Sequence, residues 1–476
     1  MGLVSNVKWV SLSQIVKVTC QLVGMVIFSR YLTPKEIGIM SMATIVVNFV
    51  NIIRDMGASA AIIQKEYVSE VLKRSVFTLN LIFGITILVV MLTASRSISL
   101  FFDEKQLTFV ICLIAFAFPI TSSTSIHLSL LERESKFFKT AKVEVISSVL
   151  SLVGGIIAAV NNFGVYSLVI QTLLYAVLSS IGFWFCSSWK TRIGWSTCEI
   201  KAIFKFSSNL VGFNFINYFS RNLDQIIVGR FFGSAMLGIY SLAYKVMLFP
   251  LQNITSVLTR SLYPILSRLQ NDKKQGGKIY LNTLRFISIV IPPLMLGLSS
   301  VRDDFVSVIF GPKWIDMAHI LFWLAPTAIL QSIISTTGSV FMSGGRTDLL
   351  LKISIFNALL QICAFMIGAA FNLDVLVKLY FIANLIMFFP NLGLALSILN
   401  TSLGTAVLYI YKPIACSVAM FFMVTYCIDK IKLIGFSADT RLLCSILIGI
   451  VSYSILLFLI DGKSMFMKLR TFKNNK

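Results

Sequence analysis

Long apolar stretches follow one another almost without pause along this chain, each closed by a short polar or charged interruption. About 20 apolar residues in a helix cross the hydrocarbon core of a bilayer. Fourteen stretches qualify: 9–29, 37–53, 75–95, 106–126, 143–161, 163–185, 205–229, 235–259, 281–301, 317–343, 350–371, 376–399, 404–427 and 440–461. A closed β-barrel would instead show short segments of strict alternation, which are not seen. The pattern predicts an all-α integral membrane protein of about fourteen transmembrane helices. Only Asn161-Asn162 separates the fifth stretch from the sixth, and the ninth carries Pro292-Pro293. Proline is tolerated in a spanning helix where neighbours satisfy the freed carbonyls.

A slower period underlies the fast one. Ser29-Arg30-Tyr31-Leu32-Thr33-Pro34-Lys35-Glu36-Ile37-Gly38-Ile39-Met40-Ser41-Met42-Ala43 returns 200 residues later, without a gap, as Gly229–Ala243. Arg30/Arg230, Gly38/Gly238, Ile39/Ile239, Ser41/Ser241 and Ala43/Ala243 are identical. A repeat of this kind marks duplicated architecture. It begins at the ends of the first and seventh helices. Six helices lie between, an even number, so the two copies share one orientation, as in transporters built from parallel repeats. The expected organisation is two six-helix lobes in parallel pseudo-twofold repeat, 1–200 and 201–400. Two extra C-terminal helices and a basic tail fill 401–476.

Composition agrees with lipid as the solvent: of 476 residues 57% are hydrophobic and 13% charged, with mean hydropathy +0.86. A soluble protein carries about 25% charged residues. The net charge of +21 could suggest nucleic acid, but its placement argues against that. With the N-terminus cytoplasmic, 26 of the 41 Lys and Arg fall in inside loops or the tail, 11 outside and four within spans. That asymmetry is the positive-inside rule, and it puts both termini in the cytoplasm. No loop is long enough for a soluble domain. The longest, about 260–280, ends in the polar run Gln270–Lys278 and reads as a solvated linker. The segment Glu132–Lys142 is basic with a Phe pair and suits the surface of anionic lipid heads. The N-terminal segment reads as a first spanning helix rather than a cleaved signal. Eight cysteines form no Cys-x-x-Cys pair, and His127 and His319 stand far apart without evident partners, so neither a metal site nor a disulfide framework is expected.

Ionisable groups inside the membrane cost at least ~2.5 kcal/mol each and are the default functional candidates. The first helix carries Gln14, Lys17, Gln21 and Gly24; the seventh carries Asn214, Asn217, Arg221 and Asp224. Each set has the spacing of one helical stripe, and the two sets superpose under the same 200-residue shift. The eighth helix adds Lys245. Arg221, Lys245 and Lys17 are thus candidates for a cationic cavity suited to phosphate or carboxylate. Gln14, Gln21, Asn214 and Asn217 would line it. The bland alternatives are that Arg221 and Asp224, three residues apart, neutralise each other, and that Lys17 snorkels to the cytoplasmic end of its helix. Lys412, beside Pro413, reads as a packing residue. No phosphate-binding loop, nucleophile elbow or His cluster is present, so no catalytic activity is expected.

Several of these runs resemble a known family. They are Arg221-Asn222-Leu223-Asp224-Gln225-Ile226-Ile227-Val228-Gly229-Arg230, Leu237-Gly238-Ile239-Tyr240-Ser241-Leu242-Ala243-Tyr244 and Tyr263-Pro264-Ile265-Leu266-Ser267-Arg268. Asp55-Met56-Gly57-Ala58-Ser59 and Phe163-Gly164-Val165-Tyr166-Ser167 add to them. They are similar to the polysaccharide exporters of the multidrug/oligosaccharidyl-lipid/polysaccharide (MOP) flippase superfamily. Within it they resemble the Wzx-type flippases of colanic-acid, O-antigen and capsule repeat units. The resemblance implies a bacterial inner-membrane protein whose two lobes open a cavity alternately to each side. It would flip an undecaprenyl-pyrophosphate-linked oligosaccharide outward, in the company of a polymerase and chain-length proteins. It implies no cofactor beyond an H⁺ or Na⁺ counter-ion, for which Asp224 is the candidate carrier.

Three other functions compete. A multidrug/cation antiporter of the same superfamily would want anionic groups facing its substrates, whereas the spans here hold mostly cations. A lipid II flippase is a second relative. A membrane glycosyltransferase or ligase belongs to a different class and needs a sizeable acidic loop, which is not evident.

Overall fold

The computed structural model describes the backbone of residues 3–55, 62 and 68–474. Side chains are described outside 3–7, 53, 55, 198–217, 219–221, 461 and 463–474. The Asp55–Gln64 run therefore lies largely outside the described residues, as do the side chains of Asn214, Asn217 and Arg221.

The chain is all-α. In order the helices are α1 Leu3–Tyr31, α2 Pro34–Asp55, α3 Glu70–Phe102, α4 Gln106–Ala115, α5 Ala117–Arg133, α6 Phe137–Val160 and α7 Tyr166–Cys186. They continue with α8 Thr197–Pro250, α9 Ser256–Arg268, α10 Lys273–Ser300, α11 Met317–Ser343, α12 Thr347–Ala369, α13 Leu373–Ile398, α14 Leu403–Leu433 and α15 Ala438–Asn474. Among the described residues, thirteen helical spans are long and apolar enough to cross a membrane. This agrees with about fourteen, because one of the thirteen spans holds two helices. The predicted seventh and eighth stretches run together as α8, interrupted at Gly233 (φ 80°, ψ 179°). That backbone conformation is open essentially to glycine alone.

The first copy of the repeat breaks at the equivalent place by other means. α1 ends at Tyr31 and α2 starts with Pro34 at its first position, where the missing N–H costs nothing. Thr33 caps α2: Glu36 Nα donates to its hydroxyl at 3.4 Å, while the Glu36 carboxylate accepts from Thr33 N–H at 2.7 Å. This reciprocal pairing satisfies two donors that the helix start leaves open.

The expected solvated linker at about 260–280 is corrected. Helix continues to Arg268, and only four residues precede α10. The polar run instead builds the first turns of α10, where the Asp272 carboxylate accepts from Gln275 N–H at 3.0 Å. Its Lys and Gln residues are ordinary helix formers once a cap is supplied. α9 is amphipathic, burying Leu262 and Leu266 while exposing Tyr263 and Ile265.

The chain divides into two compact units, Met1–Gly238 and Ile239–Lys476. In the first, α1 packs on α6, α6 on α7, α3 on α4 and α5, and α5 on α7. Ile62, Leu72, Val76, Phe77, Ile126 and Leu130 form one of its buried clusters. In the second, α10 packs on α14 and α11, α11 on α13, and α14 on α15; Val301, Met420, Val424, Ile428 and Leu442 cluster there.

Both units are built for lipid. Large apolar side chains such as Leu100, Phe109, Phe458 and Leu459 lie on the outside, while Ser75, Ser147, Ser151, Ser288, Thr327 and Ser339 are buried. Small residues let helices approach closely where no hydrophobic effect drives them together. Several buried hydroxyls return their proton to their own helix, as Ser288 does to Leu284 O at 2.8 Å and Thr327 to Trp323 O at 2.7 Å.

Candidate functional site

The repeated turn produces a close backbone contact inside the first unit. A Cβ added at Gly38 would stand 1.6 Å from Ser234 O, and one at Gly238 would stand 1.9 Å from Pro34 O. Residues 38 and 238, and 34 and 234, are related by the 200-residue shift. Each copy of the turn thus presses its glycine on the equivalent carbonyl of the other. Glu104, held just past the left-handed Asp103 (φ 53°), faces both copies. Its carboxylate accepts from Ser234 Oγ at 2.8 Å and lies 3.4 Å from Lys35 Nζ. Nearby, the Arg230 guanidinium sits 5.7 Å from the centre of the Phe101 ring.

The first polar stripe lies along α1. Lys17 is the middle residue of this 29-residue helix, and Gln14 and Gln21 on the same face are exposed. Lys17 Nζ meets Glu144 Oε2 of α6 at 2.9 Å; the side chains are 33% and 25% exposed. The pair therefore lines accessible space rather than a sealed core. Glu144 is a residue that the sequence reading missed. The available signal was a lone carboxylate near the start of an apolar stretch, at Val143-Glu144-Val145. One ring of α1 contacts the same helix: Trp9 packs edge-on against Phe138, centroids 4.6 Å apart.

The second stripe is described in part. Asp224 of α8 is 3% exposed. Two residues before it, Asn222 Nδ2 donates to Tyr218 O at 2.9 Å, and the Tyr218 hydroxyl donates to Ile45 O of α2. Lys245, after the break in α8, belongs to the second unit and is exposed. Among the described residues it makes no hydrogen bond or ion pair. Among the described candidates, Lys17 meets an opposite charge, that of Glu144.

His127 is corrected. The expectation gave it no partner, but it is buried beneath the segment that follows α7. Its Nε2 lies 3.1 Å from Thr191 Oγ1, and Trp184 and Trp189 pack at 5.2 and 5.4 Å. Trp189 Nε1 donates to Glu70 at 3.0 Å and Gly194 N–H to Thr78 Oγ1 at 3.1 Å. This segment is therefore fastened to α3 and α5. The sequence contained the residues but not the chain reversal that joins them.

Against known proteins, residues 27–319 match the family model described as polysaccharide biosynthesis protein. The chain is 27% identical over 461 residues to the teichuronic acid biosynthesis protein TuaB of Bacillus subtilis, covering 96% of this chain and 95% of that one. It is 25% identical over 371 residues to the lipopolysaccharide biosynthesis protein WzxC of Escherichia coli, covering 77% and 75%. Among solved structures, lipid II flippase MurJ in an inward closed conformation gives a TM-score of 0.73 at 16% identity, covering 96% of this chain and 99% of that one. An inward-facing MATE-family multidrug transporter of the MOP superfamily gives 0.60 at 14%, covering 83% and 99%. At these identities the solved structures show a shared fold. The chain is a polytopic membrane protein with the fold of the MOP-superfamily transporters, and it belongs to the polysaccharide biosynthesis protein family.

Proposed function

We propose that the protein flips an undecaprenyl-pyrophosphate-linked oligosaccharide repeat unit from the cytoplasmic to the outer leaflet, for a surface polysaccharide. The observation that carries this reading is an accessible cation at the middle of a spanning helix, Lys17 between Gln14 and Gln21, in a chain of this family. A pyrophosphate must leave water to cross the bilayer. A cation already held in a polar stripe lowers the electrostatic cost of that passage. Amides beside it offer donors and acceptors to sugar hydroxyls. The lipid tail has no need to leave the hydrocarbon.

In this reading the lobes are 1–200 and 201–400, with 401–476 accessory, and they alternate access with both termini in the cytoplasm. An ion gradient supplies the driving force, and Asp224, a buried carboxylate on α8, carries the counter-ion. Arg221 and Lys245 are further candidate contacts for the substrate's anionic groups. A polymerase and chain-length proteins consume the product. Naming of TuaB for teichuronic acid and of WzxC for lipopolysaccharide supports the substrate class.

Complementation tests the site. Arg221→Ala, Lys245→Ala and Lys17→Ala, expressed to the wild-type level in a deletion strain, are expected to restore at most about a tenth of the surface polysaccharide, as one lost charge-assisted contact is worth roughly 1.5–3 kcal/mol. Full restoration by all three overturns the site.

A further inference from the structure

We infer that Glu144 is an internal competitor of the substrate for Lys17, and that this competition sets how fast the substrate's anion is released. The inference rests on the reading above, in which Lys17 meets that anion.

Lys17 Nζ is not waiting for a ligand: it is committed to Glu144 Oε2 at 2.9 Å. Both side chains are partly accessible, so an incoming phosphate can reach the ammonium. An ammonium offers three donors, but the two anions repel, and a phosphate that takes Lys17 does so at the expense of the carboxylate. The charged or titratable groups within electrostatic reach of Glu144 come from three helices packed around it. They are Lys17 on α1, Glu132 on α5 and Tyr175 on α7. Of these three, Lys17 is the cation. When the substrate takes it, Glu144 loses its ion-pair partner.

A carboxylate that loses its counter-ion to an incoming anion is driven toward its protonated form by the like charge beside it. The balance is simple: substrate anion and one proton enter, the Lys17–Glu144 contact breaks, an O–H bond forms on Glu144, and Lys17 stays protonated throughout. Departure of the substrate reverses each step, with Glu144 returning to Lys17 and expelling the anion. Substrate and proton therefore bind together at this place. A proton antiporter needs the two to exclude one another, so its coupling group must lie elsewhere; the Lys17–Glu144 pair governs affinity and release.

The test uses the whole protein in nanodiscs, with geranyl pyrophosphate as a soluble isoprenyl probe. Calorimetry in two buffers of different ionisation enthalpy counts protons. Wild type is expected to take up as much as about one proton per probe bound, with affinity falling at most about tenfold per pH unit. Glu144→Gln is expected to bind roughly tenfold tighter, a change of ~1.4 kcal/mol, without proton uptake. In flipping assays it should lower KM and kcat together, because release slows. Lys17→Ala/Glu144→Gln should lose the tightening. If Glu144→Gln does not fold, Glu144→Asp, which draws the charge back by one methylene, should still tighten binding. Unchanged or weaker binding by the folded variant, or proton uptake equal to wild type, overturns the inference alone. No binding by wild type overturns the cationic-site reading together with it.

Discussion

At positions 38 and 238 the side chain is a single hydrogen because anything larger would occupy a backbone carbonyl. The added Cβ would lie 1.6 and 1.9 Å from carbonyl oxygens, and backbone cannot swing aside as a side-chain tip can. Gly38→Ala and Gly238→Ala are each expected to destabilise the protein by at least about 3 kcal/mol, the upper end of ordinary overpacking. Gly338→Ala in α11, where nothing lies within 4 Å, is the neutral control. Thermal melting of the detergent-solubilised protein checks all three; a wild-type melt for Gly38→Ala contradicts the contact. These two glycines were legible in the sequence as identities in a repeat, but the reason for them was not. A 15-residue repeat says that two turns are alike, and only the fold says that they touch. Glu144 was illegible for a related reason. A lone acid near a span boundary reads as loop chemistry until the neighbouring helix brings Lys17 to within 2.9 Å.

Helix ends were harder to read than helix existence. Apolar runs mark the hydrocarbon crossing, whereas caps decide where the helix stops, and several helices here outlast the membrane. α3 runs from Glu70 to Phe102, with Ser69 accepting from Leu72 N–H at 3.0 Å, although its apolar run occupies only 75–95. The same logic turned the Gln270–Lys278 linker into the capped start of α10. Thr33→Ala removes one half of the reciprocal cap on α2 and is expected to cost about 1 kcal/mol, read as faster amide exchange over the first turn of α2. Exchange at the wild-type rate would show that the break is held by Pro34 alone. At the far end of the chain, Asp304, with its side chain 5% exposed, accepts from Arg441 Nη2 at 2.6 Å and ties the Arg302–Phe305 turn to α15. Asp304→Ala is expected to cost roughly 1.5–3 kcal/mol, the worth of hydrogen bonds to a charged group. A melting temperature unchanged by that substitution would contradict this role.

For the molecule as a whole, the sequence carried the all-α membrane class because lipid makes it visible. Every spanning backbone must satisfy itself as helix, and every span of sufficient length announces itself in hydropathy. What the sequence could not carry is function, which depends on which polar groups meet inside. Lys17 and Arg221 occupy matching stripes in the two copies of the repeat but differ in chemistry, and the departure from symmetry is where substrate recognition is expected to lie. The positive-inside asymmetry predicts that a C-terminal alkaline phosphatase fusion is inactive while a fluorescent-protein fusion shines; the reverse would invert the topology. The most direct test of the central claim is the leaflet distribution of undecaprenyl-pyrophosphate-linked repeat units in a strain lacking this gene. The account predicts that they accumulate on the cytoplasmic leaflet while surface polysaccharide is lost. Unaltered polysaccharide, with repeat units distributed as in the parent strain, would contradict it.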